Sequence, residues 1–111
     1  MLTGKYNESL YHYISNSAAD DIMKSQLGIT EDSWVYLTPD GAKTAIQAQL
    51  DLSLPSDNSA QSLIKIKPNS VYPNNFIIQR TVNGNVYGRP GGGYEFIYKG
   101  TIDAKYLLRL K

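Results

Sequence analysis

Alternation of apolar and polar residues along the chain predicts a domain rich in β-strands. Residues 63–67, Leu-Ile-Lys-Ile-Lys, alternate with a period of two, which is typical of a half-buried strand. Short runs of aromatic and β-branched residues, each bounded by turn-forming residues, predict the other strands. These runs are residues 10–14, 34–38, 76–80 and 94–98, with a last strand beginning at Ile102.

Two helices are predicted near the N-terminus. Apolar residues recur at helical spacing from Ala18 to Leu27, with acidic residues in the first turn and Gly28 as the stop. A second, shorter helix is predicted from Ala42 to Leu50, after the turn at residues 39–41. Strands combined with two helices predict an α+β fold, and the length of 111 residues favours one domain over 1–111.

Composition narrows the classes of function. The chain has no cysteine and a single histidine, so we expect no disulfide, no thiolate catalysis and no metal site. A net charge of +1 gives no overall attraction to nucleic acid or anionic membranes, although a local basic cluster stays open. Without a long apolar run or a signal peptide, we expect a soluble domain with no membrane partner, and we expect it to be a fragment of a longer protein.

A glycine-rich segment precedes the predicted strand at 94–98. Residues 88–93, Gly-Arg-Pro-Gly-Gly-Gly, lack the ending of a phosphate-binding P-loop and lead into a strand instead of a helix, so neither phosphate-binding fingerprint fits. Strand alternation then sets Tyr94 and Phe96 on one face and Glu95 on the other. One interpretation is a hairpin turn with a solvent-facing Glu95; the alternative is a functional carboxylate beside a loop that closely approaches a ligand.

Four segments together resemble a known family. They are L-Y-H-Y at 10–13, W-V-Y-L-T-P-D-G at 34–41, G-R-P-G-G-G-Y-E-F at 88–96 and G-T-I-D-A-K-Y-L at 100–107. Their order and spacing resemble the ADP-ribosyltransferase toxin domains with a His-Tyr-Glu or His-Tyr-Asp triad, the C-terminal domains of bacterial polymorphic toxins such as Rhs and contact-dependent inhibition proteins. The third segment is also similar to P-G-G-G-x-Q of the tuberculosis necrotizing toxin group of NAD glycohydrolases, which have glutamine at the position of Glu95.

This resemblance implies a split β-sheet, flanked by the two helices, that holds NAD+ in a cleft. It implies three catalytic residues: His12 hydrogen-bonds the ribose, and Tyr36 stacks on the nicotinamide. Glu95 binds the ribose 2′-hydroxyl and stabilises the cation that forms as nicotinamide leaves. NAD+ is then the substrate, and no metal is required.

Further contacts to NAD+ are implied for Tyr13, Thr38, Gly92 and Gly93. The chain departs from the family pattern at Ile14, where a threonine or serine is frequent. It also has Gly93 where arginine-modifying members have an acidic residue, which argues against arginine as the acceptor.

The resemblance also implies a biological setting. The domain is expected to be secreted as part of a larger toxin, by a type VI or contact-dependent system, and to act in the cytoplasm of a competing or host cell. A cognate immunity protein is the expected partner. The acceptor of ADP-ribose, a protein such as a translation component or an RNA, stays open, as does hydrolysis of NAD+ without transfer.

Two other classes of function stay open. A metal-independent RNase toxin would use His12 as the base, with Arg80 or Arg89 and a tyrosine as partners of the transition state. A binding module without catalysis would use its tyrosines as contact anchors. Binding of RNA would be favoured if the basic residues cluster on one face of the fold. These residues are Lys65, Lys67, Lys99, Lys105, Arg109 and Lys111.

Overall fold

A computed structural model of the chain describes residues 5–43, 47, 48, 50, 52, 60–81 and 93–111. Within this part of the chain, no helix is long and apolar enough to cross a membrane. The helix and the strands follow in the order β1 (Leu10–Ile14), α1 (Asn16–Lys24), β2 (Gln26–Leu27), β3 (Trp34–Leu37), β4 (Ser62–Ile66), β5 (Phe76–Thr81), β6 (Tyr94–Lys99), β7 (Ile102–Asp103) and β8 (Leu107–Arg109). Short 3-10 helices lie at Pro73–Asn75 and Ala104–Tyr106.

The strands form three small antiparallel sheets. The first sheet has the order β1-β4-β8, the second has the order β3-β6-β5, and β2 pairs with β7 in a two-stranded ribbon. A single bridge between Tyr11 of β1 and Thr38, which follows β3, joins the first sheet to the second among the described residues. The α+β class predicted from the sequence is therefore confirmed.

The two larger sheets share one hydrophobic core. Every second residue of β1 and β4 packs in this core against every second residue of β3 and β6. A period of two is expected for strands with one buried face. The fully buried members of this core include Leu10, Ile64, Ile66, Leu37 and Ile102. A second, smaller cluster lies behind the first sheet, where Tyr13 packs with Ala48, Ala60 and Leu63.

All five internal strands predicted from periodicity are present, with ends that differ by at most one residue. The predicted last strand does begin at Ile102, as β7, whereas two short strands were missed. β8 has three residues and β2 has two, which is too short for a period of two to be recognised. Residues 26 and 27 were predicted to end α1, but they pair with β7 and bury Leu27.

The helix α1 therefore begins and ends earlier than predicted. Its N-cap is Ser15, whose hydroxyl accepts from the amide of Ala18, and it ends at Lys24. Gly28, the predicted stop, instead follows β2 with a φ of +84°. A Cβ atom there would lie 2.4 Å from the carbonyl oxygen of Gly100, so the close approach of two backbones requires glycine.

The prediction of two N-terminal helices is wrong, since α1 is the one α-helix whose bounds the structure describes. Residues 41–43, where the second helix should begin, are not helical. The amide of Ala42 donates to Asp40 Oδ1 (2.9 Å) and the amide of Lys43 donates to the Tyr13 hydroxyl (3.0 Å), so side-chain contacts hold these residues as a loop against β1. In the remainder of the predicted helix, residues 47, 48 and 50 are helical, and 44–46 and 49 lie outside the described residues.

Arg109 connects the last strand to the rest of the fold. Its guanidinium donates to the hydroxyl of the fully buried Ser62 (2.9 Å) and pairs with Asp20 on α1. Ser62 in turn donates to Asn16 at the start of α1. Because Asp20 is exposed, the ion pair adds little, and the hydrogen bond to Ser62 carries most of the stabilisation.

We expect Arg109→Gln to lower the free energy of unfolding by about 1 kcal/mol, the usual net contribution of one such hydrogen bond. Urea denaturation followed by circular dichroism measures the change. Lys111→Gln removes the same charge from an exposed residue of the same chain end and is expected to change stability by less than about 0.5 kcal/mol. Equal losses in the two variants would contradict a structural role for the Arg109–Ser62 contact.

Candidate functional site

The strongest candidate site lies where the first and second sheets separate. At the bridge, the amide of Tyr11 donates to the carbonyl of Thr38 and the amide of Thr38 donates to the carbonyl of Tyr11, each at 2.8 Å. Along an antiparallel strand, every second residue directs its backbone groups to the same side. The carbonyl of Tyr36 therefore also points toward β1, but the bridge is isolated and β1 does not continue as its partner.

The side chain of His12 supplies the hydrogen-bond donor for the Tyr36 carbonyl. Its Nδ1 atom lies 2.8 Å from the carbonyl oxygen of Tyr36, which is 24 residues away in the sequence. A carbonyl oxygen only accepts, so Nδ1 carries the proton and donates it. In the neutral ring, Nε2 then keeps a lone pair that can accept a hydrogen bond from a ligand.

Desolvation favours the neutral form of this histidine. Burial lowers the pKa of His12 below its ordinary value of 6.5, and the smaller, opposing effect is the hydrogen bond to Tyr36. His12 is therefore mainly uncharged at pH 7. The result is a fixed tautomer whose Nε2 accepts and whose ring cannot rotate without breaking the bond to β3.

Tyr36 and Glu95 lie on the same face of the second sheet. Tyr36 is in register with Ile97 of β6, and Glu95, two residues before Ile97, therefore shares its face. The ring of Tyr36 is 48% exposed, whereas its neighbour Leu37 is in the core. The site thus offers an accessible aromatic ring beside a carboxylate.

Glu95 is only 8% exposed, so the interpretation of Glu95 as solvent-facing is wrong. Most of the hairpin turn in that interpretation lies outside the described residues. The prediction that Glu95 and Phe96 lie on opposite faces of β6 is confirmed. Phe96 packs in the core and stacks on Phe76, with ring centres 5.2 Å apart. β3 and β6 pair Leu37 with Phe96, so the next position of this register places Glu95 opposite Thr38. Glu95 therefore lies next to the bridge to β1. Core packing on one side of β6 therefore fixes the carboxylate on the other.

The hydroxyl groups of Thr38 and Tyr13 form hydrogen bonds with backbone groups of the loop that follows β3. Thr38 is 2% exposed, and its hydroxyl accepts from the amide of Asp40 (3.3 Å). The hydroxyl of the buried Tyr13 donates to the carbonyl of Asp40 (3.1 Å) and accepts from Lys43 (3.0 Å). Burial raises the pKa of Tyr13. Both side chains hold the loop at residues 39–43 against β1, in addition to any contact with a ligand.

Sequence reasoning missed how strongly Gly41 constrains this loop. A Cβ atom at Gly41 would lie 2.4 Å from the ring of Tyr11, so only glycine lets the loop lie on that ring. The signal was present in the turn Pro39-Asp40-Gly41, which was interpreted as the end of a strand. Gly41 thereby packs against the residue that precedes His12 in β1.

Gly93 is buried and leads directly into β6. Gly92 and Arg89 belong to residues 82–92, which lie outside the described residues. Arg80 belongs to β5, where its backbone is in register with Glu95. Of the residues predicted for the site, the ring of His12 is hydrogen-bonded to the backbone carbonyl of Tyr36. Glu95 lies on the same face of the second sheet as the side chain of Tyr36.

In the described part of the chain, no group of three or more histidine, cysteine, aspartate or glutamate side chains is arranged to hold a metal ion. Comparisons of this chain with models of protein families, with curated proteins and with solved structures return no match.

We expect the ring of His12 to carry its proton on Nδ1 and to titrate below pH 6.5 in the folded protein. A folded pKa below the unfolded value makes the stabilisation by neutral His12 complete above pH 6.5, and this stabilisation is lost as the pH falls through the folded pKa. Because the chain contains one histidine, nitrogen-15 NMR of the ring identifies the tautomer and the pKa directly.

Two variants of His12 test the contribution of this hydrogen bond to stability. His12→Asn keeps a donor near the position of Nδ1 without titrating, so its stability should fall less between pH 7 and pH 5 than that of the wild type. His12→Leu leaves the Tyr36 carbonyl without its donor and should be the least stable of the three at pH 7, by roughly 1 kcal/mol or more. A protonated Nε2, or a pKa at or above 6.5, would contradict the geometry.

Proposed function

We propose that this chain is an ADP-ribosyltransferase toxin domain that cleaves NAD+ at the bond between nicotinamide and ribose. The observation that carries the proposal is the hydrogen bond from His12 Nδ1 to the carbonyl of Tyr36, because it joins two residues of the resembled triad at one point of the fold. The third, Glu95, shares the face of Tyr36. The finer fold would be a split sheet whose opening between β1 and β3 accommodates NAD+.

The chemistry assigns each residue a task. Nε2 of His12 accepts a hydrogen bond from a ribose hydroxyl and so positions the sugar. The accessible ring of Tyr36 stacks on the nicotinamide and holds it in a reactive orientation. Glu95 accepts from the 2′-hydroxyl, and its negative charge lies near the carbon that becomes positive.

The reaction balances without a metal or a redox partner. The bond between the ribose carbon and the nicotinamide nitrogen breaks, and both electrons leave with neutral nicotinamide. The resulting sugar cation is attacked by an oxygen or nitrogen atom of the acceptor, which then loses its proton. Water in place of the acceptor gives hydrolysis, so a transferase and a glycohydrolase share the first step. A buried carboxylate binds the cationic transition state more tightly than the ground state.

The proposed setting follows the same resemblance. The domain would act in the cytoplasm of a target cell after delivery by a larger toxin, and a cognate immunity protein would cover the exposed face around Tyr36 in the producing cell. Near-neutral charge is compatible with either a protein or an RNA acceptor. Labelled NAD+ added to a bacterial lysate identifies the acceptor by whether protease or nuclease releases the label, and free ADP-ribose alone would identify a glycohydrolase.

We expect Glu95→Gln to lower the rate of nicotinamide release by roughly 100-fold or more, because an amide offers only a dipole to the developing cation. Release is measured by chromatography with purified protein and NAD+. Glu31→Gln, which makes the same chemical change at an exposed glutamate outside the site, is the control and should keep full activity. Full activity in a folded Glu95→Gln protein would overturn the proposed function.

We expect Tyr36→Leu to weaken the binding of NAD+ by roughly 2- to 10-fold, the usual contribution of one aromatic contact. Tyr36→Phe keeps the ring and should bind as the wild type does. Trp34 lies on the same face, two residues away, and is 56% exposed, so Trp34→Leu tests whether any exposed aromatic residue has this effect. Calorimetric titration measures the affinity. Equal binding by all four proteins would mean that Tyr36 does not stack on the cofactor.

A further inference from the structure

A cluster of lysine and tyrosine side chains lies apart from the site described above. Lys67 Nζ donates to the carbonyl of Lys105 (3.3 Å), and Lys105 Nζ lies 5.0 Å from the centre of the Tyr106 ring. Lys5 Nζ lies 5.8 Å from the same ring and 5.4 Å from the ring of Tyr72. These five residues form the lysine–tyrosine patch, which combines three positive charges with two aromatic rings.

The charge of the patch is not balanced by ion pairs. Among the described residues, none of its three ammonium groups pairs with a carboxylate, whereas Lys99 pairs with Asp32 at 3.5 Å elsewhere on the surface. Asp103 lies beside the patch, where its Oδ1 accepts from the amide of Lys105 (2.9 Å). Three ammonium groups that form no ion pair among the described residues give the patch a local positive charge in a chain whose net charge is +1.

The backbone beneath the patch is fixed, although the patch comes from three separate segments. The amide of Lys67 donates to the carbonyl of Tyr106 (2.9 Å), which joins the segments around these two residues. Tyr6, next to Lys5, donates to the carbonyl of Val71 (2.7 Å) and its own carbonyl accepts from Asn69 (2.7 Å). Charges held on a fixed backbone lose less conformational entropy when a ligand binds.

We propose that the lysine–tyrosine patch binds a short stretch of single-stranded polynucleotide. Unpaired ammonium groups attract the phosphates, and a tyrosine that is 51% exposed, Tyr72, offers a face for one unstacked base. A duplex keeps its bases stacked and withholds them from such a ring. A membrane surface would need apolar side chains that insert, and Tyr72 is the one large exposed aromatic or aliphatic side chain that the patch contributes among the described residues.

The inference is independent of the proposed cleavage of NAD+, because none of the five residues belongs to the His12–Tyr36–Glu95 site. The basic residues considered from the sequence cluster on one face only in part. Lys67 and Lys105 do lie together, but Arg109 pairs with Asp20 and Lys99 with Asp32. Lys5, which was not among the basic residues considered from the sequence, joins them through the two tyrosine rings.

The test is the fluorescence anisotropy of labelled 12-nucleotide uridine and thymidine oligonucleotides titrated with the intact chain, without NAD+, at 50 and 200 mM salt. Three phosphate contacts on a single strand predict that log K falls with log salt with a slope of about −2. Lys105→Gln should reduce this slope by about 0.7 in magnitude, and Tyr72→Leu should weaken binding about fivefold while leaving the slope unchanged.

Lys111→Gln is the matched control. Lys111 is exposed, and its carbonyl accepts from the amide of Leu63 (2.9 Å), at the other end of β4, which is roughly 13 Å along the strand from Lys67. It should bind as the wild type does. The proposal is overturned if neither oligonucleotide binds, if a 12-base-pair duplex or vesicles containing anionic lipid bind as tightly, or if Lys111→Gln and Lys105→Gln weaken binding equally.

Discussion

The hydrogen bond between the ring of His12 and the carbonyl of Tyr36 is the constraint that organises this molecule. It lies at the point where the ladder between β1 and β3 stops after one bridge, so a side chain replaces the missing strand as the partner of a backbone acceptor. A carbonyl left without a donor in this half-buried position would cost free energy. The bond therefore joins the two larger sheets and at the same time fixes the orientation of the one histidine.

The remaining parts of the site depend on the core that the two sheets share. β6 lies in the middle of the second sheet, with Phe96 and Tyr98 packed into the core on one side. Because side chains alternate along a strand, this packing determines that Glu95 lies on the opposite side, together with Tyr36. The packing of Phe96 and Tyr98 thus sets the side of the sheet on which the carboxylate lies. Such indirect support is what a fixed charge in a binding site requires.

Local chemistry and tertiary contacts disagree at two positions, and the tertiary contacts prevail. Helical periodicity extends to Leu27, yet Leu27 pairs with Ile102 because a buried strand contact outweighs a weak preference for helix at the end of α1. Residues 42 and 43 likewise match the start of a helix, but the hydroxyl of Tyr13, 30 residues away, binds the amide of Lys43 and holds this segment on β1. In both cases the competing partner comes from outside the predicted helix.

The sequence by itself determined the α+β class, the five internal strands, and the opposition of Glu95 to Phe96, because these follow from local periodicity. Only the tertiary structure decided which residues meet. His12 contacts a residue 24 positions away, and Arg109 contacts one 89 positions away. It also decided that Glu95 is buried and that Lys5 joins Lys105 at one tyrosine ring. Periodicity identifies the faces of a strand, whereas strand pairing and burial depend on contacts between distant segments that no local pattern contains.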